Sequence, residues 1–225
     1  MFVITGTGRG GTSIVTCMLQ AHPKMDMLFE NAEPCRTPKE PWQERERKDN
    51  EQGIIFGSKI LEGSLFLKER YPERLKEWYK DTKFCFIFRS GLDMIAMNKP
   101  YIPGNIRENI IKWNRYIDTS LRFIDKNKER CMTLKYTDFI EEPKKHLRRI
   151  CDFVMIEYDD CVFDFSMEYT PYFKKYGNRV DTSRVYLWEK LMATPSCKEG
   201  TELRYLLLKA EIELMENLIR TGYKN

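Results

Sequence analysis

Only two histidines stand among the 225 residues, and the seven cysteines, at 17, 35, 85, 131, 151, 161 and 197, contain no CxxC pair. Neither a zinc ribbon nor a thioredoxin-type redox motif is therefore supported, and buried free thiols in a reducing compartment are the expectation. Long hydrophobic runs are also missing. The most apolar stretches, such as Phe84 to Phe88 and Tyr205 to Leu208, fall far short of the roughly 20 residues that cross a bilayer, so no membrane span is expected. The opening Met1-Phe2-Val3-Ile4 lacks a basic n-region and an apolar stretch of signal-peptide length, which makes a cytoplasmic protein the expectation. Excess charge of one sign is absent too. Lys and Arg number 38 against 34 Asp and Glu, a net charge of +4 with the signs interleaved, which argues against a nonspecific nucleic-acid binder but permits a local basic pocket for a small anion. No internal repeat or low-complexity segment marks a domain boundary.

Large apolar residues are abundant. Thirteen Phe, twelve Tyr and four Trp, in a chain that is 42% hydrophobic, are enough for a real core and against disorder. Phe2 to Thr5 is a short β-branched run that stops at a glycine cluster, and Ile14, Val15, Met18 and Leu19 then recur at helical spacing. Further strands are expected at Gly53 to Gly57, Phe84 to Phe88 and Cys131 to Tyr136. Helices are expected over Leu65 to Lys80, Ile106 to Ile124 and the stripe Leu147, Ile150, Cys151 and Val154. Strands alternating with helices predict an α/β fold, one domain over residues 1–225 with a central parallel sheet flanked by helices. Residues 34–53 hold three prolines and ten charged residues and are expected as a solvated loop or lid. Residues 157–225 are expected to be mainly helical, with helices near Ser183 to Met192 and Thr201 to Thr221, and to pack on the same domain.

The chemistry is concentrated in Gly6-Thr7-Gly8-Arg9-Gly10-Gly11-Thr12-Ser13, between a strand and a helix. Glycines there let backbone N–H groups converge, and the helix N-terminus adds partial positive charge, so a phosphate or sulfate fits. GxxxxGK[ST] is matched at Gly6, Gly11 and Ser13, but Thr12 occupies the lysine position, which disfavours a triphosphate enzyme. GxGxxG is matched as well, at Gly6, Gly8 and Gly11, and the acidic residue expected about 20 positions on could be Glu30 or Glu33. A P-loop small-molecule kinase, a non-catalytic nucleotide-binding protein and a tight strand-to-helix turn without ligand all remain open on these residues alone.

FVITGTGRGGTSIVTCMLQAHP, residues 2–23, resembles the 5′-phosphosulfate loop of sulfotransferases that use 3′-phosphoadenosine 5′-phosphosulfate, a P-loop NTPase-like fold. Three more segments keep that family's order. Gly57-Ser58-Lys59 resembles its G-x-K segment, residues 84–98 (FCFIFRSGLDMIAMN) its 3′-phosphate motif, and Leu134 to Phe139 with Pro143 its [YF]-E-D-L-x-x-x-P segment. Residues 177–191 are similar to a late segment that closes over the nucleotide.

The resemblance implies that Gly10, Gly11, Thr12 and Ser13 hold the 5′-phosphosulfate while Arg9 neutralises the leaving phosphate. It implies that Arg89 binds the 3′-phosphate and that the late cations Lys175 and Arg184 close over it; Met97 stands where the family has a serine, and Ser90 or Asn98 is the expected replacement contact. Ser90-Gly91 likewise departs from its Asp-Pro. Tyr136 is implied as an adenine contact and Lys59 as a catalytic cation near the transferred group. For the base that takes a proton from the acceptor, Glu33 is preferred to Glu30 on sequence position. His22, before Pro23, is expected to serve structure and His146 to lie at the surface. The expected function is transfer of a sulfuryl group to an acceptor hydroxyl or amine, on a small molecule or a saccharide, with no metal and no nucleic-acid partner.

Overall fold

The computed structural model describes residues 1–8, 10–28, 39–61, 81–93, 106–164 and 214–222. The helices expected at 65–80 and 183–192, and most of the one at 201–221, lie outside them, although residues 214–220 are helical. The chain forms two compact units, one of residues 1–87 with 124–180 and one of residues 88–123 with 181–225.

The first unit is organised around a five-stranded sheet. Strand β1 is Phe2–Gly6, buried at every position, and helix α1, Thr12–Gln20, follows it. Next come strand β2 (Met25–Leu28), helix α2 (Lys39–Glu51), strand β3 (Ile55–Leu61) and strand β4 (Lys83–Phe88). Helix α3 is Ile106–Lys126, strand β5 Cys131–Lys135, helix α4 Tyr136–Glu141 and helix α5 Pro143–Val154. The strand order is β2-β3-β1-β4-β5, and β1 pairs in parallel with β3 on one side and β4 on the other. A strand flanked on both sides and covered on both faces requires unbroken apolar sequence, which is why β1 and β4 show no polar alternation. Ligands of such sheets bind beyond the carboxyl ends of the strands where the connections diverge to opposite sides, and β1 and β4 are such a pair.

Helix α2 departs from expectation, for its 13 residues fall inside the segment 34–53 expected as a loop. Glu, Lys and Arg are good helix formers. They pair here at i,i+4, Lys48 with Glu44 at 2.7 Å and Arg47 with Glu51 at 2.6 Å. The helix is tied to the sheet edge by Arg45, which donates from Nε and a terminal nitrogen to both oxygens of Asp26 and lies 5.9 Å over the Phe56 ring. Charge thus stabilises this helix in place of an apolar stripe.

At the far end of α1, Lys24 N–H donates to His22 Nδ1 at 3.0 Å, leaving Nε2 to donate to the Glu157 carbonyl at 2.9 Å. Cys161 Sγ donates to the Ala21 carbonyl. His22 is a structural clamp between α1 and the chain beyond α5. His146 corrects the surface expectation. It is buried on the α5 stripe with Leu147, Ile150 and Val154, and burial, aided by the Arg149 cation, holds its pKa below the ordinary value.

In the second unit α3 presents Ile110, Trp113, Tyr116 and Ile117 to its interior. The helix over 214–220 joins it through Asn217 Nδ2, which donates to Asn114 Oδ1 at 2.8 Å, and through the ion pair of Arg220 with Asp118.

Candidate functional site

The turn after β1 is made of backbone. Gly10 N–H donates to the Thr7 carbonyl at 2.9 Å, and a Cβ on Gly10 would stand 2.8 Å from that oxygen. Gly11 caps α1 in the left-handed region, φ 93°, where a side chain is strained. The N-cap residue, being glycine, offers no side-chain acceptor to the first N–H groups of the helix. A Cβ on Gly6 would meet Thr12 Cγ2 at 2.7 Å, a closeness that brings the start of α1 onto the end of β1. Gly8, by contrast, faces open space within 4 Å. Converging amides at an uncapped helix start, on a turn closed to side chains, fit an oxyanion.

Lys59 reaches this turn from β3. It is paired in register with Ile4, is only 3% exposed, and reaches α1 by donating from Nζ to Ser13 Oγ at 2.7 Å. One turn further along α1, burial pushes the Cys17 thiol up to about 11, partly offset by the Lys59 cation, which leaves it unreactive as a nucleophile at neutral pH. Tyr136, the first residue of α4, is buried, and its ring carbons Cδ2 and Cε2 lie 2.1 Å from where a Gly11 Cβ would be. Gly10, Gly11, Thr12, Ser13, Lys59 and Tyr136 therefore gather at one strand end.

Arg89 follows β4 and belongs to the second unit. It is 5% exposed, its Nε is 3.8 Å from Asp93 Oδ2, and its carbonyl accepts from Trp113 Nε1 at 3.1 Å. A Cβ on Gly91 would meet the Trp113 indole at 2.8 Å, so the bulky indole accounts for glycine at the place where the resembled pattern has proline. Arg9, Glu30, Glu33, Asn98, Lys175 and Arg184 lie outside the described residues. Sequence reasoning missed the contact of Tyr136 with Gly11 and the indole over Gly91, both made between residues far apart in the chain. Among the described residues, no group of three or more His, Cys, Asp or Glu is placed to hold a metal ion, and no helix is long and apolar enough to cross a membrane.

A family model described as "Sulfotransferase family" matches residues 63–160. Protein-tyrosine sulfotransferase A of Caenorhabditis elegans is 26% identical over 192 residues, 71% of this chain and 50% of that protein. The Drosophila melanogaster protein-tyrosine sulfotransferase is 26% identical over 195 residues, 72% of this chain and 39% of that one. Among solved structures, the sulfotransferase domain of the Synechococcus PCC 7002 olefin synthase superposes with a TM-score of 0.64 at 16% identity, covering 93% of each chain. Mouse sulfotransferase SULT7A1, complexed with PAP, gives 0.54 at 13% identity, covering 99% of this chain and 87% of that one. The chain is similar in sequence to sulfotransferases over part of its length and shares the fold of the sulfotransferase domains. It spans about half the length of the curated sulfotransferases it matches.

Proposed function

We propose that the chain transfers a sulfuryl group from 3′-phosphoadenosine 5′-phosphosulfate to an acceptor hydroxyl or amine. The observation that carries this reading is the buried Lys59 ammonium hydrogen-bonded to Ser13 at the uncapped start of α1. A cation so placed suits charge that builds on the bridging and sulfuryl oxygens, and Thr12 in place of the P-loop lysine disfavours a triphosphate. The amides of Gly10 to Ser13 hold the 5′ group and Arg9 neutralises the leaving phosphate. Arg89 contacts the 3′-phosphate, assisted by Asn98, Lys175 and Arg184.

In the proposed step the acceptor oxygen or nitrogen forms a bond to sulfur as the bond from sulfur to the 5′-phosphate oxygen breaks. The acceptor proton passes to a carboxylate, Glu33 in preference to Glu30, and 3′-phosphoadenosine 5′-phosphate (PAP) leaves. Positioning and electrostatics are the means, since the transferred group carries less charge than a phosphoryl group. The names of the protein-tyrosine sulfotransferases favour a tyrosine phenol as the first acceptor to try, ahead of saccharides and small hydroxylated molecules.

The test is incubation with radiolabelled sulfonucleotide and a panel of tyrosine peptides, saccharides and phenols. Label transferred to at least one acceptor is expected. Label transferred from γ-labelled ATP instead would move the reading to a kinase.

A further inference from the structure

Two features of the loop call for one explanation. Gly11 holds a left-handed conformation that decides where the next amides point, and the space beside it is filled by an aromatic edge from another part of the fold. That edge belongs to Tyr136, which sits at the junction where β5 ends and α4 begins. The ring is buried, and α4 is anchored by Phe139 and by its packing on α5, whose Leu147, Ile150 and Cys151 are fully buried. A ring fixed by this core limits the backbone excursions open to a glycine, the residue that otherwise has the most conformational freedom to lose.

We infer that Tyr136 is a positioning residue for the 5′-phosphosulfate loop: its ring closes the side of Gly11 where a side chain would be and holds the turn that aims the Thr12 and Ser13 amides. This role differs from the adenine contact that the sequence resemblance implies, and its catalytic meaning rests on the nucleotide reading above. The same contact makes Gly11 doubly constrained, by its φ and by the ring, and places the residue that secures the loop on a different strand connection from the loop itself. Preorganised amides bind an anion without first being ordered, so the expected gain is in nucleotide affinity and in turnover together.

Hydrogen exchange of the nucleotide-free chain reads the positioning, and calorimetry with PAP reads its consequence. Tyr136→Leu should speed exchange in residues 7–15 by about tenfold or more and weaken PAP binding by roughly tenfold, and Tyr136→Phe should restore both. Weaker PAP binding with unchanged exchange would make Tyr136 an adenine contact and overturn the inference. Faster exchange in a chain whose wild type does not bind PAP would instead overturn the nucleotide reading and leave the positioning standing. If Tyr136→Leu does not fold, Gly11→Ala tests the contact from the other side. Its methyl must displace the ring, so exchange should rise in 131–141 as well as 7–15, and a rise confined to 7–15 would contradict the contact.

Discussion

The chain after β1 and the chain after β4 both end a strand of one sheet, and they are built by opposite means. The first is a backbone structure in which Gly6, Gly10 and Gly11 admit close approach and a lysine from the next strand donates to a helix hydroxyl. The second is a side-chain structure, in which buried Arg89 lies beside buried Asp93 and the Trp113 indole packs on Gly91 and holds the Arg89 carbonyl. In both regions a glycine leaves room for a ring, Tyr136 at Gly11 and Trp113 at Gly91, but only in the first does glycine also supply a left-handed turn. Any substitution except proline leaves a backbone N–H in place, whereas alanine removes a guanidinium, so the two regions should fail differently when mutated.

The largest effect is expected at Lys59, the proposed catalytic cation. Lys59→Ala should lower turnover with a verified acceptor by roughly a hundredfold or more while changing PAP affinity far less, because its work lies in the transition state. Steady-state kinetics beside calorimetry checks this, and unchanged turnover would remove Lys59 from the chemistry.

Arg89→Ala comes next. Loss of a charge-assisted contact of roughly 1.5–3 kcal/mol should erase about tenfold or more of the preference for PAP over adenosine 5′-phosphate. It also takes a cation from beside Asp93, so Arg89→Ala with Asp93→Ala should regain stability without regaining discrimination, as melting and binding measured together would show.

A smaller effect tests the sheet behind the loop. Thr5 is fully buried on the β1 face opposite Lys59, and its hydroxyl makes no hydrogen bond. Thr5→Val should raise stability by about 1 kcal/mol in denaturant unfolding, since it removes an unsatisfied polar atom at nearly constant shape. A loss of stability would place a partner on that hydroxyl.

The smallest effect concerns His146. Burial and Arg149 lower its pKa in the fold below the ordinary 6.5, so the unfolded chain binds the proton more readily. The neutral ring's contribution is then fully present above about 6.5 and is lost as pH falls from there through the lower, folded-state value. His146→Gln should flatten the decline in melting temperature across that window, and an unaltered slope would assign the decline to other groups.

Much of this was legible in the sequence, for identifiable reasons. A β-branched run ending in glycines and followed by Ile14, Val15, Met18 and Leu19 has few alternatives to strand, turn and helix, and β1 and α1 form there. The four-and-three stepping from Ile106 to Ile124 is equally direct, and α3 covers it. Lys59 lies within β3 and not after it, because the strand expected at Gly53 to Gly57 runs on to Leu61. Helix α2 was hidden because its stability comes from i,i+4 ion pairs and Arg45 rather than from apolar periodicity. Strand β2 carries little sequence signal, because only Met25 and Met27 of its four residues are buried. His146 looked exposed because its neighbours are cations, although it lies four residues before Ile150 on the buried stripe. The contact of Tyr136 with Gly11 has no local signature at all, since it is set by where β5 delivers the chain.

Calorimetric titration of the purified chain with PAP and, separately, with ATP and Mg²⁺ tests the central claim most directly. The proposed reading, with the amides of Gly10 to Ser13 and Lys59 at one strand end, predicts that PAP binds more tightly than Mg-ATP and needs no divalent cation. Tighter binding of Mg-ATP, or no detectable binding of PAP by the folded chain, would contradict it.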